Sequence, residues 1–341
     1  MSAKLRTSAK NPHGKDSVLR IGLGLAALGR PAYINLGRSS ELPLRRDVRS
    51  MREVTFAVLD AAYAAGVRWI DVARSYGRAE EFLADWLAER GHRDVGDLDS
   101  VSDRAGRGGL TVSSKWGYTY VGGWRMDATM HEVKEHSASV FSRQWTESRA
   151  LLGSAISLYQ VHSLTVDSPL FTDEALQRAL AALSDDGVRV GFSTSGPAQA
   201  ATIRRAFELE VAGRPVFSAV QSTWNLLEPS AGPALAEAHA AGNLVLVKET
   251  LANGRLVVEP PPAISRLAQR FGVGPDAVAV AAVLAQPWAD IVLIGPSSPQ
   301  QLAANLAASS VVLPPGDLAA LRGLAEPAQR YWGRRSSLQW Q

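Results

Sequence analysis

The sequence predicts an α/β chain folded as a single (β/α)8 TIM barrel, with long βα loops at the carboxyl-terminal face. Three observations carry that expectation. Short apolar runs alternate with amphipathic helical segments from end to end, most helical segments stop at a glycine, and no linker or internal repeat divides the 341 residues. Parallel strands need a helical crossover, so this alternation calls for a parallel sheet. Eight such units in this length favour a closed barrel over an open doubly wound sheet.

The strands are expected at Val18–Gly24, Arg68–Asp71, Leu110–Lys115, Ser157–His162, Val188–Ser193, Ala219–Gln221, Leu244–Lys248 and Ile291–Gly295. A helix runs into Gly66 ahead of the second strand. After the second strand Gly77 allows a tight turn, and Phe82, Leu83, Trp86 and Leu87 then fall at helical spacing with charges between them. Thr129 to Glu132 reads as a capping box opening a long helix that closes at Gly153. Thr172–Asp186 stops at Gly187, and Gly232–Ala241 stops at Gly242. Pro275 starts a helix that reaches Gln286 before Pro287, and Asp317–Leu324 forms one more. Residues 1–16 read as a loose basic tail, 17–326 as the barrel, and 327–341 as an aromatic end containing Tyr331, Trp332 and Trp340. Pro31–Arg49 and Gly117–Asp127 extend the first and third βα loops, and long loops on that face usually line or cover a pocket.

Composition narrows the functional classes. Apolar residues make up 46% and charged residues 20%, so the core can be large. A net charge of +3 gives no dense basic stripe for nucleic acid. The chain has no cysteine, which excludes disulfides, thiolate nucleophiles and Cys-ligated metal, and fits a cytoplasmic protein. The basic start followed by Ile21–Leu28 imitates a signal peptide, but that run is short, holds Gly22 and Gly24, and has no convincing cleavage site. No apolar run has the length of a membrane helix. The expected partner is a small molecule, not a membrane or nucleic acid.

The informative pattern is where polar residues fall relative to the strands. Asp71 ends the second strand within W-I-D-V-A-R-S-Y-G-R-A-E-E, and Tyr76 follows in its loop. Lys115 ends the third strand, His162 the fourth, Ser193 the fifth, Gln221 the sixth and Lys248 the seventh, while Gly295 opens the loop after the eighth. In a barrel all of them meet at one mouth. Singly each has an ordinary reading: an Asp caps a helix, a Lys snorkels to water, a His is a satisfied core residue. A tyrosine whose pKa is about 10 is a poor acid at neutral pH. A buried ammonium beside it would lower that value, a carboxylate would hold the ammonium, and an imidazole would orient a substrate oxygen. Such a set suits protonating an oxyanion as it forms.

Other candidates divide less sharply. His131, Glu132 and His136 look metal-like, but two histidines five apart do not share a helix face, so a loop-contacting reading is preferred and no metal is expected. Trp116, Tyr118 and Trp124, with Tyr120, are read as substrate-lining rather than packing, since aromatics close apolar pockets. Trp224 serves the core or the cofactor equally well.

From Leu19 to Leu306 the residues resemble the aldo-keto reductases. The resemblance rests on I-G-L-G-L-A-A-L-G, A-A-G-V-R-W-I-D-V-A-R-S-Y-G-R-A-E, S-S-K-W-G, L-Y-Q-V-H, V-G-F-S-T-S, V-Q-S-T-W-N-L-L-E and I-G-P-S-S-P-Q-Q-L-A-A-N-L. It implies a barrel that binds a nicotinamide cofactor without a Rossmann domain, in agreement with the lack of a G-x-G-x-x-G after a strand. It implies Tyr76 as general acid, Lys115 as the partner that lowers its pKa, Asp71 as counter-ion and His162 as the group orienting the carbonyl. Ser193, Thr194 and Gln221 fall where the family holds the carboxamide. Lys248 and Leu251 fall in its seventh-strand cofactor segment, and Gly295, Ser297, Ser298, Gln301 and Asn305 where it holds the adenosine phosphates and adenine. The start of the helix at Pro299 is also a reasonable anion site.

Three departures stand out. Thr194 replaces the usual Asn. V-K-E-T-L-A-N-G-R-L replaces a segment with an aromatic residue that stacks on the nicotinamide, which Lys248 cannot do. Ser297 and Ser298 stand where Arg or Lys often meets the 2′-phosphate. NADP is favoured, with NAD possible. The expected function is NAD(P)H-dependent reduction of an aldehyde or ketone. The alternatives are a cofactor-binding regulatory or interaction subunit on the same fold, or redox-neutral or specialised biosynthetic chemistry with a retained cofactor.

Overall fold

The computed structural model describes residues 17–37, 42–92 and 109–340. The expected tail 1–16, residues 38–41 of the first βα loop, residues 93–108 and Gln341 lie outside the described residues.

Eight parallel strands close a barrel. They are β1 (Ile21–Gly24), β2 (Trp69–Asp71), β3 (Thr111–Trp116), β6 (Ile156–Leu164), β7 (Arg189–Thr194), β10 (Ala219–Thr223), β11 (Leu244–Lys248) and β12 (Ile291–Ile294). β1 pairs with both β2 and β12, which leaves no free edge. Two antiparallel ribbons decorate it: β4 (Tyr118–Tyr120) with β5 (Glu132–Lys134), and β8 (Glu210–Val211) with β9 (Arg214–Pro215).

Each predicted strand is present, with ends shifted by at most two residues and the first strand trimmed by three. Ser17 to Leu19 form a helical turn, so the first strand starts at Ile21 and not at Val18. The predicted capping box at Thr129–Glu132 is not one. Glu132 pairs in β5 and its carboxylate is engaged by Arg30, so it is not free to cap a helix. The helix begins at Ala138, where the Ser137 hydroxyl accepts the Val140 N–H. The helix predicted from Thr172 begins at Glu174 behind Asp173, whose carboxylate accepts from Leu176 N–H. The segment 327–341 contains a further helix, Ala328–Ser336.

Inside the barrel, Trp69, Leu158, Ala219, Leu244, Leu246, Ile291 and Leu293 pack as an apolar cluster separate from the core under the helices. Gly22 makes room for it, because a Cβ there would stand 2.7 Å from Leu293 Cδ2. Asp71, Ser113, Lys115, Gln160 and Gln221, all buried, come from four strands that also carry this plug, or sit beside it. The plug walls off one side of the polar set, and the mouth lies on the other.

The backbones of the first two βα loops touch. A Cβ on Gly29 would lie 2.1 Å from the Tyr76 carbonyl oxygen, and one on Gly77 would lie 2.4 Å from that of Gly29. Gly29 in turn accepts the Arg78 N–H at 2.7 Å. No side chain can yield at such a contact, so Gly29→Ala must displace the loop that carries Tyr76. Overpacking of this kind costs about 1–3 kcal/mol. Urea unfolding should show a loss in that range for Gly29→Ala; a stability equal to wild type would rule out this close approach.

Candidate active site

The site begins with a buried ammonium. Lys115, 1% exposed at the end of β3, has three protons and three acceptors: Asp71 Oδ2 at 2.5 Å, the Val72 carbonyl at 2.9 Å and Tyr76 Oη at 3.3 Å. Burial pushes its pKa down, and Asp71 opposes that shift. The other Asp71 oxygen accepts from Ser113 Oγ at 2.7 Å and Gln221 Nε2 at 3.0 Å, and Trp69 Nε1 donates to Ser113 Oγ at 2.9 Å. A hydrogen-bonded line thus runs from the apolar plug to the phenol.

Tyr76 Oη accepts a hydrogen bond from Lys115, so its own O–H is turned away from the ammonium. Burial, reinforced by Asp71, pushes its pKa well above the ordinary value. Arg30 opposes that shift without overcoming it, so the net direction is upward rather than the lowering expected from the sequence, and the phenol keeps its proton at neutral pH. His162 stands beside it, ring centroids 5.6 Å apart and edge to face. Burial, then Lys115 and Lys248, hold its pKa well below the ordinary value, so the imidazole is neutral. Its Nδ1 faces the Ser75 hydroxyl at 3.4 Å, and Tyr118 packs on its ring at 4.9 Å.

Tyr76, His162 and Asp71 open on a cavity of about 360 Å³. Of the sequence-predicted residues, Gln221, Lys248, Leu251, Gly295 and Tyr118 also line it. Ser193 is buried, and its hydroxyl accepts the N–H of Ser163, a cavity residue with φ 54°. Thr194 is turned aside into a buried cluster, 2.7 Å from Ser222 Oγ and 3.4 Å from Gln199 Oε1. Lys248 donates to Thr223 Oγ1 at 3.0 Å and lies 3.9 Å from Glu249.

Around the start of helix Pro299–Leu306, Gln301 Oε1 accepts the Ser297 N–H and Ser298 Oγ accepts the Gln301 N–H. The Ser297 hydroxyl is buried with no hydrogen-bond partner among the described residues. Asn305 is held by Asp276 at 2.7 Å. Trp116 is fully buried against Phe141 and His136, and Trp124 donates to the Arg46 carbonyl at 2.8 Å; neither lines the cavity. His136 bridges Ser168 and the His162 carbonyl, with its pKa lowered by burial to about 4. Among the described residues no three potential ligands group to hold a metal. Trp224 packs edge-on against Trp288.

The sequence reading missed the residues that wall the mouth. Arg30, 2% exposed, pairs with Glu132 at 2.7 Å, donates to the Ser75 carbonyl at 3.0 Å, and lies over the rings of Tyr33, Tyr76 and Trp340. Trp340 also stacks on His131 at 4.2 Å and 14°. Glu249 takes Arg335 at 2.6 Å, faces the Tyr331 hydroxyl at 3.4 Å, and is held at its carbonyl by Asn225. The only hint was that Arg30 directly precedes the first long loop and Glu132 follows the third.

The aldo/keto reductase family model matches residues 20–326. Aldo-keto reductase str7 of Strobilurus tenacellus is 23% identical over 348 aligned residues, covering 93% of this chain and 91% of that protein. The holo form of an aldo-keto reductase from Bacillus halodurans superposes with a TM-score of 0.62 at 19% identity, covering 91% of this chain and 93% of that one. At that identity the superposition speaks for the fold.

Burial pushes the Glu249 carboxyl up, but Arg335 and Lys248 more than offset it and hold it at about 2, against 4.5 ordinarily. A carboxyl with a depressed folded pKa contributes stability above its unfolded value and loses it as pH falls through the folded one. Glu249→Gln should cost about 3 kcal/mol at neutral pH, as expected when one partner of a buried pair is removed. The gap between wild type and variant should then shrink as pH drops from 4.5 towards 2. Urea unfolding across that range checks this, and a gap independent of pH would contradict it.

Proposed function

The chain belongs to the aldo/keto reductase family, a family of oxidoreductases acting on carbonyl compounds, and from that premise we propose that it reduces an aldehyde or ketone to the alcohol with NADPH, Tyr76 being the general acid. The observation that carries the reading is the saturated ammonium. Because all three Lys115 protons are committed, one of them to Tyr76 Oη, the phenolic proton points elsewhere, and the side chain lines the cavity.

The bound dinucleotide would supply a hydride to the carbonyl carbon. Its carboxamide would meet Gln221 and Ser163, and its phosphates would meet Gly295, Ser297 and Ser298, where a buried hydroxyl lacks a partner. That hydroxyl, beside a helix start, is the support for NADPH ahead of NADH. Tyr76 and neutral His162 would hold the substrate oxygen between them. As the C=O bond becomes C–O⁻, Tyr76 gives up its proton to that oxygen, which is far more basic than a phenolate. The phenolate left behind is stabilised by the Lys115 ammonium at 3.3 Å, itself anchored by Asp71. Water then restores the phenol.

A partner-docking role needs Trp332 and Trp340 exposed. Trp332 is buried and Trp340 half-buried against Arg30 and His131, so that alternative loses its motivation.

Removing a general acid costs about 10²–10⁴ in rate. Tyr76→Phe should lose at least about a hundredfold in kcat on an aldehyde panel while fluorescence titration shows NADPH binding nearly unchanged; undiminished turnover would sink the mechanism. Ser297→Ala should weaken NADPH about tenfold, as for one hydrogen bond to a charged group, and NADH much less. Equal losses for both would move the 2′-phosphate elsewhere.

A further inference from the structure

The cavity walls hold one cation more than their carboxylates can pair. Asp71 is taken by Lys115, Glu132 by Arg30 at 2.7 Å, and Glu249 by Arg335 at 2.6 Å. Lys248 is left over. It lies 3.9 Å from Glu249 Oε1, the same oxygen that Arg335 holds. Its hydrogen bond goes to a neutral hydroxyl, Thr223 Oγ1. Lys115 supplies the internal comparison, since the same group in the same protein gives three hydrogen bonds, one of them to a carboxylate. Lys248 is 17% exposed at its side chain and lines the cavity. Its remaining protons find no hydrogen-bond acceptor among the described residues. A desolvated ammonium without a close counter-charge is costly, and the cavity is the side from which an anion reaches it. Tyr33, Tyr118 and Trp340 line the same cavity and supply flat aromatic walls to it.

We infer that Lys248 is an anion-binding residue of the substrate site, and that the carbonyl compound reduced here carries a carboxylate or a comparable anionic group. The inference rests on the reductase reading of the same cavity. The charged and titratable groups around Lys248 are Glu249 and Arg335, Lys115 and Asp71, and neutral His162. Burial lowers the Lys248 pKa to about 8, with Glu249 opposing, so the ammonium is charged at neutral pH and anion binding fades as pH rises beyond that value.

Calorimetric titration with benzoate, and with benzamide as the neutral control, tests this on the full chain, with and without saturating NADPH. Wild type should prefer benzoate by about tenfold or more, which is ~1.4 kcal/mol. The preference should vanish in Lys248→Met, persist in Lys248→Arg, and decline in wild type above pH 8. The ratio of kcat/KM for 4-carboxybenzaldehyde over methyl 4-formylbenzoate should fall in Lys248→Met through KM. Equal benzoate affinity in wild type and Lys248→Met overturns the inference. So does a loss of NADPH affinity as large as the loss for benzoate, because the anion met by Lys248 would then be the dinucleotide's. If Lys248→Met does not fold, a wild-type benzoate preference that is absent or flat with pH overturns it equally. Lys248-dependent benzoate binding without reduction of either aldehyde would keep the anion site and remove the reductase reading instead.

Discussion

The contact on which the rest of the structure depends is the ion pair between Lys115 and Asp71. Both groups are essentially out of water, and each buried ion costs several kcal/mol unless every lone pair and proton is met. The barrel meets that demand by drawing on several strands at once. Val72 from the end of β2, Ser113 from β3 and Gln221 from β10 converge on the pair, and Trp69 fixes Ser113 from below. Losing β2, β3 or β10 from the ring would leave a buried charge short of a partner. The closed sheet is therefore the device that makes a buried ammonium tolerable, and the ammonium is what would make Tyr76 useful as an acid.

A second tier of buried ion pairs shapes the mouth. Arg30 to Glu132 ties the first βα loop to the β4–β5 ribbon, and Arg335 to Glu249 ties the C-terminal helix to the loop after β11. Both join segments far apart in sequence, 102 and 86 residues for the two hydrogen-bonded pairs. Trp340 lies over Arg30 and stacks on His131, so the C-terminal segment that carries Arg335 also packs against the first tie. Loops held this way form a wall with preset shape, so little ordering remains to oppose ligand binding.

What the sequence made legible follows from period and position. Strand ends are marked by apolar runs, and a parallel barrel sends all of them to one face, so Asp71, Lys115 and His162 were readable without knowing any contact. Family resemblance added Tyr76's role and the cofactor segment. Partners set by tertiary packing were not readable. Glu132 looked like a helix cap because the motif is local, whereas its engagement by Arg30 is not. Trp116 looked like a pocket wall because it is one of the aromatics clustered at the third βα loop, yet strand alternation turns it to the face opposite Lys115 and sends it into the core. The direction of the Tyr76 pKa also depends on burial, which no spacing reveals.

The segment after β11 has an unusual backbone. Glu249, Ala252 and Asn253 all have φ between 50° and 56°, the left-handed region that side chains other than Asn and Gly rarely adopt. Such residues cost of order 1–3 kcal/mol each and persist only where their surroundings over-determine them. Here the surroundings do so: Asn225 holds the Glu249 carbonyl, Leu36 N–H donates to the Asn253 carbonyl, and Arg335 clamps the Glu249 side chain. The clamp takes the carboxylate that would otherwise neutralise the neighbouring ammonium. Glu249 Oε1 sits 2.6 Å from Arg335 but 3.9 Å from Lys248, so the same turn that closes the C-terminal helix onto the barrel leaves a positive charge facing the cavity. Backbone strain, helix docking and the electrostatics of the cavity are thus one arrangement, and none of the three can change without the other two.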